Sequence, residues 1–295
     1  MKKGNTGYDR SAEDIGNVIA LEHLNVLVPD QRLATVFYIA GLGLTRDPYL
    51  MTTVTNMWAN IGRSQFHLPT GKAQKLRGCT GLVMPDLKHL AARLKNVEPL
   101  LGRTKFSYKA SRGKVEITCP WGNRIRCHAP HPRFGNVRLA MAYIELDARP
   151  DTASGIARFY RETIGAPATV RRIGGARAAA ISVGRNQSLI YRESDAKLAK
   201  YDGHHIQIYL ADFSGPHARL VERGLVTEES DQYQYRFEDI VDVDSGETLF
   251  KLEHEVRSMT HPLYARPLVN RNPNQSNTKF AQGHETAPWA LPFEA

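Results

Sequence analysis

The chain has 295 residues, of which 42% are hydrophobic and 23% are charged. This length fits about two globular domains, and the composition excludes fibrous, wholly disordered and disulfide-scaffold proteins. With 39 Lys and Arg against 30 Asp and Glu, the formal net charge is +9, but the basic residues are spread along the chain. That distribution favours steering of an anionic small molecule over nucleic-acid binding.

The three cysteines, Cys79, Cys119 and Cys127, lack CxxC spacing, which is typical of reduced, buried thiols. No apolar run in the sequence is long enough to cross a bilayer, and the basic N-terminus is not followed by an apolar signal core. We therefore expect a cytoplasmic protein with no membrane partner.

Strands followed by helices are predicted at three places along the chain. The first residue of each predicted strand stands seven positions before an aspartate. The residues between these two positions alternate in polarity, as in a strand with two different faces. The aspartate that follows is predicted to cap a helix. The pairs are His23 with Asp30, Cys79 with Asp86, and His205 with Asp212.

The sequence also repeats internally. The segment HLNVLVPDQRLATVFYIAGLG, which begins at His23, aligns with ELDARPDTASGIARFYRETIG, which begins at Glu145, and later segments align at nearly the same offset. This predicts an α+β protein of two homologous halves, 18–133 and 138–258, each built from two strand–helix–strand modules. We expect a flexible segment over 1–17, and a Pro/Asn-rich arm over 259–295 with Trp289 and Phe293 as docking points.

The HxxxxxxD strand openings, the FY…GLG and FYRETIG helix ends, the QFHLP strand and the DxxG turn at Asp242 to Gly246 occur in an order that resembles the vicinal oxygen chelate superfamily. That superfamily includes glyoxalase I, bleomycin- and fosfomycin-resistance proteins and extradiol dioxygenases. The resemblance covers about residues 18–258. It implies four βαβββ modules paired into two domains, with open cupped mixed sheets, outer helices and metal ligands on the first and last strands of each module.

The four-module layout looks most like a two-domain extradiol dioxygenase, in which the C-terminal domain holds the iron. The segment HEVRSMTHPLYARPLV lacks the signature that those enzymes carry after the final ligand.

The resemblance implies a metal site in the second half. The ungapped repeat places Glu145 at the position of His23, and His205 opens the next module. A single bulge would turn Glu253 inward. These three residues would form an oxygen–nitrogen–oxygen set that suits Fe(II) or Mn(II), with Zn(II) as the alternative.

Each of these residues could instead have a structural role. Glu145 could be a buried acid paired with an arginine, and a slip of two residues would replace it by Tyr143. Glu253 could be a solvated charge at a sheet edge, and His205 a core histidine with satisfied hydrogen bonds.

A weaker site is implied in the first half, with His23 and His67 as ligands and Cys79 as a further thiolate. Arg126 stands where an acidic ligand would usually lie, and a guanidinium repels a cation. The alternative is that the two histidines hydrogen-bond within a cup in which Arg126 holds an anionic ligand.

Two functions follow from the resemblance. The first is a metal-dependent enzyme, dioxygenase-like or glyoxalase-like, which binds a small-molecule substrate through vicinal oxygens. Its pocket would be lined by Tyr143, Tyr233, Tyr235 and Arg126, and its catalytic residues are unassigned. The second is a metal-free binding or sequestering protein of the bleomycin-resistance type, because Arg126, Leu189 and Phe250 would suit an apolar, cation-lined cup. A homodimer is compatible with either function.

Overall fold

The computed structural model describes residues 8–47, 55–135 and 137–268. Its elements follow one order four times: a strand, a helix and three further strands. The first unit contains β1 (Val18–Asn25), α1 (Gln31–Ala34, continued by a π-helical segment over Thr35–Gly41), β2 (Thr45–Arg46), β3 (Asn56–Ile61) and β4 (Ser64–Pro69). The second contains β5 (Gly78–Val83), α2 (Leu87–Leu101), β6 (Ser107–Ser111), β7 (Lys114–Thr118) and β8 (Arg124–His128).

The third and fourth units have the same order of elements. The third contains β9 (Ala140–Ala148), α3 (Ala153–Phe159, continued by a π-helical segment over Tyr160–Ile164), β10 (Ala168–Ile173), β11 (Ala176–Ser182) and β12 (Ser188–Glu193). The fourth contains β13 (His205–Leu210), α4 (Ser214–Glu222), β14 (Val226–Asp231), β15 (Gln234–Val241) and β16 (Thr248–Ser258). Short 3-10 helices span Arg10–Glu13 and Pro132–Phe134.

The aspartates after the opening strands act on the helix starts. Asp30 accepts hydrogen bonds from the amides of Arg32 and Leu33 at 2.7 and 3.0 Å, and Asp86 caps α2 in the same way. Asp212 stands one residue before the N-cap of α4, and its carboxylate accepts from the amide of Gly215 at 3.0 Å. Each carboxylate satisfies amide protons that have no partner within the helix.

The units assemble into two eight-stranded mixed sheets, which confirms the α+β class. The first sheet has the order β14-β15-β16-β13-β1-β4-β3-β2, and the second has the order β10-β11-β12-β9-β5-β8-β7-β6. Each sheet therefore joins units from both halves of the chain: the first with the fourth, and the second with the third.

This pairing corrects the expectation that each half of the chain encloses its own site. The first strand of every unit leaves one edge open, and an open edge is closed by backbone hydrogen bonds to another strand. In the first sheet β1 pairs with β13, and in the second β5 pairs with β9, both antiparallel. Side-chain periodicity identifies such an edge but does not say which other edge it meets.

The two faces of each sheet differ in polarity. Apolar side chains on one face pack against the helices in a single core that includes Leu24, Phe66, Ile206 and Phe237, all at most 2% exposed. The opposite, helix-free faces carry polar and charged side chains. We call the helix-free face of the first sheet the first cup, and that of the second sheet the second cup.

The terminal segments attach to this frame. The side chain of Asn17 donates hydrogen bonds to the carbonyls of Ile164 and Asp212 at 2.8 and 2.9 Å. Residues 259–268 of the C-terminal arm are described, whereas residues 1–7, Trp289 and Phe293 lie outside the described residues. Within the described ranges, no helix is long and apolar enough to cross a membrane.

Candidate metal site

Three histidines meet in the first cup. They are His23 on β1, His67 on β4 and His205 on β13, and one ligand atom from each lies within 4.8 Å of the others. The ring centroids of His67 and His205 stand 5.6 and 5.8 Å from that of His23. The cluster draws on both halves of the chain, because β1 is the strand that joins β4 to β13.

In each of the three imidazoles, Nδ1 has a neighbour that can orient the ring. Nδ1 of His23 lies 3.2 Å from Oε2 of Glu22, and Nδ1 of His205 lies 3.3 Å from Oε1 of Glu253. A neighbouring carboxylate fixes the tautomer of a metal-binding histidine and makes the other nitrogen the ligand.

For His67, the neighbour of Nδ1 is Nδ2 of Asn25, at 2.8 Å. Rotation of that amide by 180° would place its oxygen there, which would leave Nε2 of His67 unprotonated.

The remaining ring nitrogens are available as ligands. Nε2 of His23 and Nε2 of His67 are buried and have no hydrogen-bond partner among the described residues. Nε2 of His205 lies 3.6 Å from Oε2 of Glu255. A buried polar atom without a hydrogen-bond partner destabilises the folded protein. Two such atoms in one cluster therefore indicate that the site binds a further group.

The imidazoles are neutral at physiological pH. Burial holds the pKa of His23, His67 and His205 well below the usual 6.5, and charges from neighbouring groups lower it further. For His23 the neighbouring charges are those of Arg257, Arg236 and Arg266. A neutral imidazole is the form that binds a metal ion, so the cluster needs to release no proton before it ligates one.

Strand register identifies Glu255 as the fourth residue of this arrangement. On β1 and β4, Asn25 pairs with His67; on β13 and β16, Gln207 pairs with Glu255. Because β1 and β13 are themselves antiparallel, His67 and Glu255 occupy equivalent places. The Glu255 carboxylate is 3% exposed and lies between the guanidinium groups of Arg236 and Arg257, with a 2.5 Å contact to each.

Two further side chains, those of Trp58 and Gln207, lie next to the histidine cluster. The Trp58 ring stacks on the His67 ring at a centroid distance of 3.7 Å and an interplanar angle of 15°. Gln207 pairs with His23 across the β1–β13 ladder, is fully buried, and has neither amide atom hydrogen-bonded among the described residues. Gln207 therefore adds a third side chain, beside His23 and His67, with buried polar atoms that lack a hydrogen-bond partner among the described residues.

The start of the C-terminal arm covers one side of the first cup. The Tyr264 ring packs against Tyr209 of β13 at 4.9 Å. The Arg266 guanidinium, 1% exposed, lies 2.6 Å from the carboxylate of Asp47 and donates to Oε1 of Gln65 at 3.1 Å. The predicted arm thus wraps onto the protein, at least as far as Leu268, whose carbonyl accepts from Asn60 at 2.5 Å.

The second cup differs at all four equivalent positions. Register places Cys79, Arg126, Tyr143 and Ile190 where the first cup has His23, His67, His205 and Glu255. Neither a guanidinium nor an isoleucine binds a cation. Burial also raises the pKa of the Cys79 thiol to about 11, so it stays protonated at neutral pH.

The structure does not assemble Glu145, His205 and Glu253 as one ligand set. Glu145 lies on β9 in the second sheet, 3.9 Å from Arg126 and 3.5 Å from Arg192, which matches the alternative reading of an acid paired with arginine. Tyr143 takes the equivalent position instead, as a slip of two residues requires. Glu253 does lie beside His205, where it also contacts Arg236 at 2.5 Å.

Several other predicted residues do not line the first cup. Arg126 belongs to the second cup, so it does not share a cup with His23 and His67. Tyr235 is 1% exposed and packs on Phe213 and His217 on the helix side of the sheet. Tyr233 lies in the turn before β15.

The apolar residues expected in a metal-free cup are core residues. Leu189 is fully buried, and Phe250, 4% exposed, packs against Tyr191 and Arg77.

Three residues of the site escaped the sequence analysis: Glu255, Gln207 and Trp58. Glu255 and Gln207 each stand two positions after a predicted ligand, Glu253 and His205, and so share its face of the strand. Strand alternation could therefore have identified Glu255 and Gln207. It could not have identified Trp58, because the position of Trp58 depends on the β3–β4 register that sets it opposite His67.

Comparison with known proteins supports the fold. No protein-family model matches the chain, and no curated protein matches it. Solved structures do match it: glyoxalase I from Zea mays has a TM-score of 0.56 at 12% identity, covering 81% of this chain and 92% of that one. A point mutant of the same maize protein gives a TM-score of 0.55 at 12% identity, with the same coverage.

A Bacillus subtilis protein described as a "putative dioxygenase" has a TM-score of 0.54 at 15% identity, covering 83% of this chain and 86% of that one. The fold resemblance inferred from the sequence is thereby confirmed. At these identities the likeness concerns the fold alone.

Proposed function

We propose that this protein is a metal-dependent enzyme whose divalent cation is held in the first cup by His23, His67 and His205, with Glu255 as the fourth ligand. The observation that carries the proposal is the set of three neutral imidazoles, one buried and two half-buried, each with an oriented Nδ1 and an available Nε2. Three imidazoles and a carboxylate suit Zn(II), Fe(II) and Mn(II) in decreasing order of nitrogen preference.

A bound divalent cation would supply a Lewis acid that polarises two adjacent oxygen atoms of a substrate and lowers the pKa of a bound hydroxyl group. The chain's own residues would do the rest. Glu22 and Glu253 orient two of the ligands through Nδ1. Arg236 and Arg257 position the Glu255 carboxylate and offset its buried charge. The Tyr264 and Arg266 segment keeps bulk water from one side of the cup.

Gln207 is the residue best placed to hydrogen-bond the substrate. Its amide lies between His23 and Glu255 in the strand register, and both of its polar atoms are free among the described residues. A substrate oxygen next to the cation would accept from the amide nitrogen. The substrate class consistent with this arrangement is a small molecule with two adjacent oxygen atoms, as in dioxygenase-like or glyoxalase-like reactions.

The test is metal binding by the full chain. The protein is stripped with a chelator and loaded anaerobically with Zn(II), Fe(II) or Mn(II), and bound metal is measured by elemental analysis. We expect about one ion per chain, lost in His67→Gln and His205→Gln. His128→Gln is the matched control, because it removes a histidine from the second cup and should leave the stoichiometry unchanged. Co(II) or Cu(II) should also quench Trp58 fluorescence, because that ring stacks on His67.

Absence of stoichiometric metal in the wild-type protein would reject the enzyme proposal and favour the metal-free binding protein. Retention of full stoichiometry by both histidine variants would instead show that the ion sits elsewhere.

A further inference from the structure

The second cup has a cation built into it. Arg126 takes the position that His67 has in the first cup, and Tyr143 takes that of His205. Nη1 of Arg126 donates to the Tyr143 hydroxyl at 3.2 Å, and that hydroxyl lies 2.9 Å from Nε2 of His128. The guanidinium is thus held at the position that a proposed metal ligand, His67, has in the first cup.

The local backbone is adapted to this arrangement. Gly81 stands opposite Tyr143 on β5, and a Cβ atom at residue 81 would meet the Tyr143 ring at 2.1 Å. The equivalent residue of the first cup is Asn25, which contacts His67 there. A glycine at this point makes room for the tyrosine ring, so Gly81, Tyr143 and Arg126 form one interdependent set.

The guanidinium retains unused donors. The hydrogen bond to Tyr143 is the one that Arg126 makes among the described residues. The guanidinium also forms ion pairs with the carboxylates of Glu116 and Glu145, but at 3.6 and 3.9 Å both contacts are too long for hydrogen bonds. Nε of the neighbouring Arg192 is also buried without a hydrogen bond.

Arg126 lines an open cavity whose surroundings are basic. A cavity of about 310 Å³ is lined by residues that include Cys79, Lys109, Glu116, Arg124 and Arg126. The strand register places more basic than acidic residues on this face: Lys109, Lys114, Arg124, Arg126, Arg171 and Arg192 against Glu116, Glu145 and Asp147.

We propose that the second cup is a metal-independent binding site for a small molecule bearing an oxyanion, a carboxylate or a phosphate, which pairs with the Arg126 guanidinium. A planar guanidinium presents parallel donors that match two oxygens of such a group. The proposal does not rest on the metal site, because the equivalent positions here contain no histidine.

The test is a calorimetric titration of the chelator-treated full chain with inorganic phosphate and, separately, with acetate. We expect saturable binding of at least one probe, and the stronger probe identifies the kind of oxyanion. Arg126→Met should weaken it about tenfold or more, the loss of one charge-assisted hydrogen-bonded pair. Arg126→Lys keeps the charge but loses the paired parallel donors of the guanidinium. Its affinity for the probe should lie between those of the wild-type protein and Arg126→Met.

Two controls distinguish binding at Arg126 from binding at other basic groups of the protein. Arg112→Met removes an exposed arginine from the nearby β6–β7 turn and should bind like the wild-type protein. His205→Gln alters only the first cup and should also bind normally. The proposal is overturned if the wild-type protein shows no saturable binding up to about 30 mM of either probe, if Arg126→Met binds as tightly, or if Arg112→Met loses as much affinity.

Discussion

Two glutamines flank His23 and offer an internal comparison. Gln65 is its partner on β4 and Gln207 its partner on β13, and both are fully buried. Nε2 of Gln65 donates to Asp47 and Asn60, each at 2.6 Å, and Oε1 accepts from Arg266 at 3.1 Å. Gln207 makes no side-chain hydrogen bond within the described residues. The Gln65 amide therefore stabilises the fold, whereas we expect the Gln207 amide to hydrogen-bond a ligand.

Replacement of each glutamine by methionine, which has a similar volume, should change stability in opposite directions. An unsatisfied buried amide costs about 1–3 kcal/mol, so Gln207→Met should raise the free energy of unfolding by about 1–2 kcal/mol. Gln65→Met removes hydrogen bonds to Asp47 and Arg266, each worth about 1.5–3 kcal/mol because the partner is charged, and should lower it by about 2–4 kcal/mol.

The assay is thermal and urea unfolding of metal-free protein in a chelator. For a chain of this size, Gln207→Met should raise the midpoint by about 2–4 °C. The same variant, loaded with Co(II), should bind acetohydroxamate, a chelator with two adjacent oxygens, more weakly than the wild-type protein does. If Gln207→Met is destabilised by more than about 1 kcal/mol and binds the hydroxamate normally, then Gln207 is a structural residue and the reasoning is refuted.

Three further predictions concern groups outside the ligand set. His254 is fully buried, and burial lowers its pKa to about 3. Between about pH 3 and 6.5 the unfolded chain therefore binds a proton that the folded chain does not. The free energy of unfolding should fall as the pH falls through that window. His254→Phe should flatten this fall by up to about 1.4 kcal/mol per pH unit in urea titrations, and parallel curves for the two proteins would contradict it. Cys79, with its pKa raised to about 11 by burial, should resist iodoacetamide at pH 8 in the folded protein but not in urea, as read by mass spectrometry; equal labelling rates would contradict its burial. Arg266→Met should lower the free energy of unfolding by about 3–5 kcal/mol because the buried Asp47 carboxylate loses its ion pair with Arg266. Adding Asp47→Asn to the same chain should recover part of the loss. If Arg266→Met leaves the stability unchanged, this ion pair does not anchor the C-terminal segment.

The order of elements was legible in the sequence because it depends on local rules. Alternation before Asp30, Asp86 and Asp212 predicted strands, and the aspartates predicted helix starts. His23, His67 and His205 were all candidates because the family resemblance implies metal ligands on the first and last strands of each module. What the sequence could not show was that they belong to one cluster. That depends on β1 pairing with β13, 180 residues further along the chain, and backbone hydrogen bonds at a strand edge carry no signature of their partner.

The choice between neighbouring acids was also decided by tertiary structure. Glu253 and Glu255 share one face of β16, as Tyr143 and Glu145 share one face of β9, so period-two reasoning admits either member of each pair. The register with β13 sets Glu255 level with Gln207, and the register with β5 sets Tyr143 level with Gly81. Side-chain alternation is a property of one strand, whereas register belongs to two. The sequence therefore determined which faces are polar, and the pairing of strands decided which polar groups meet.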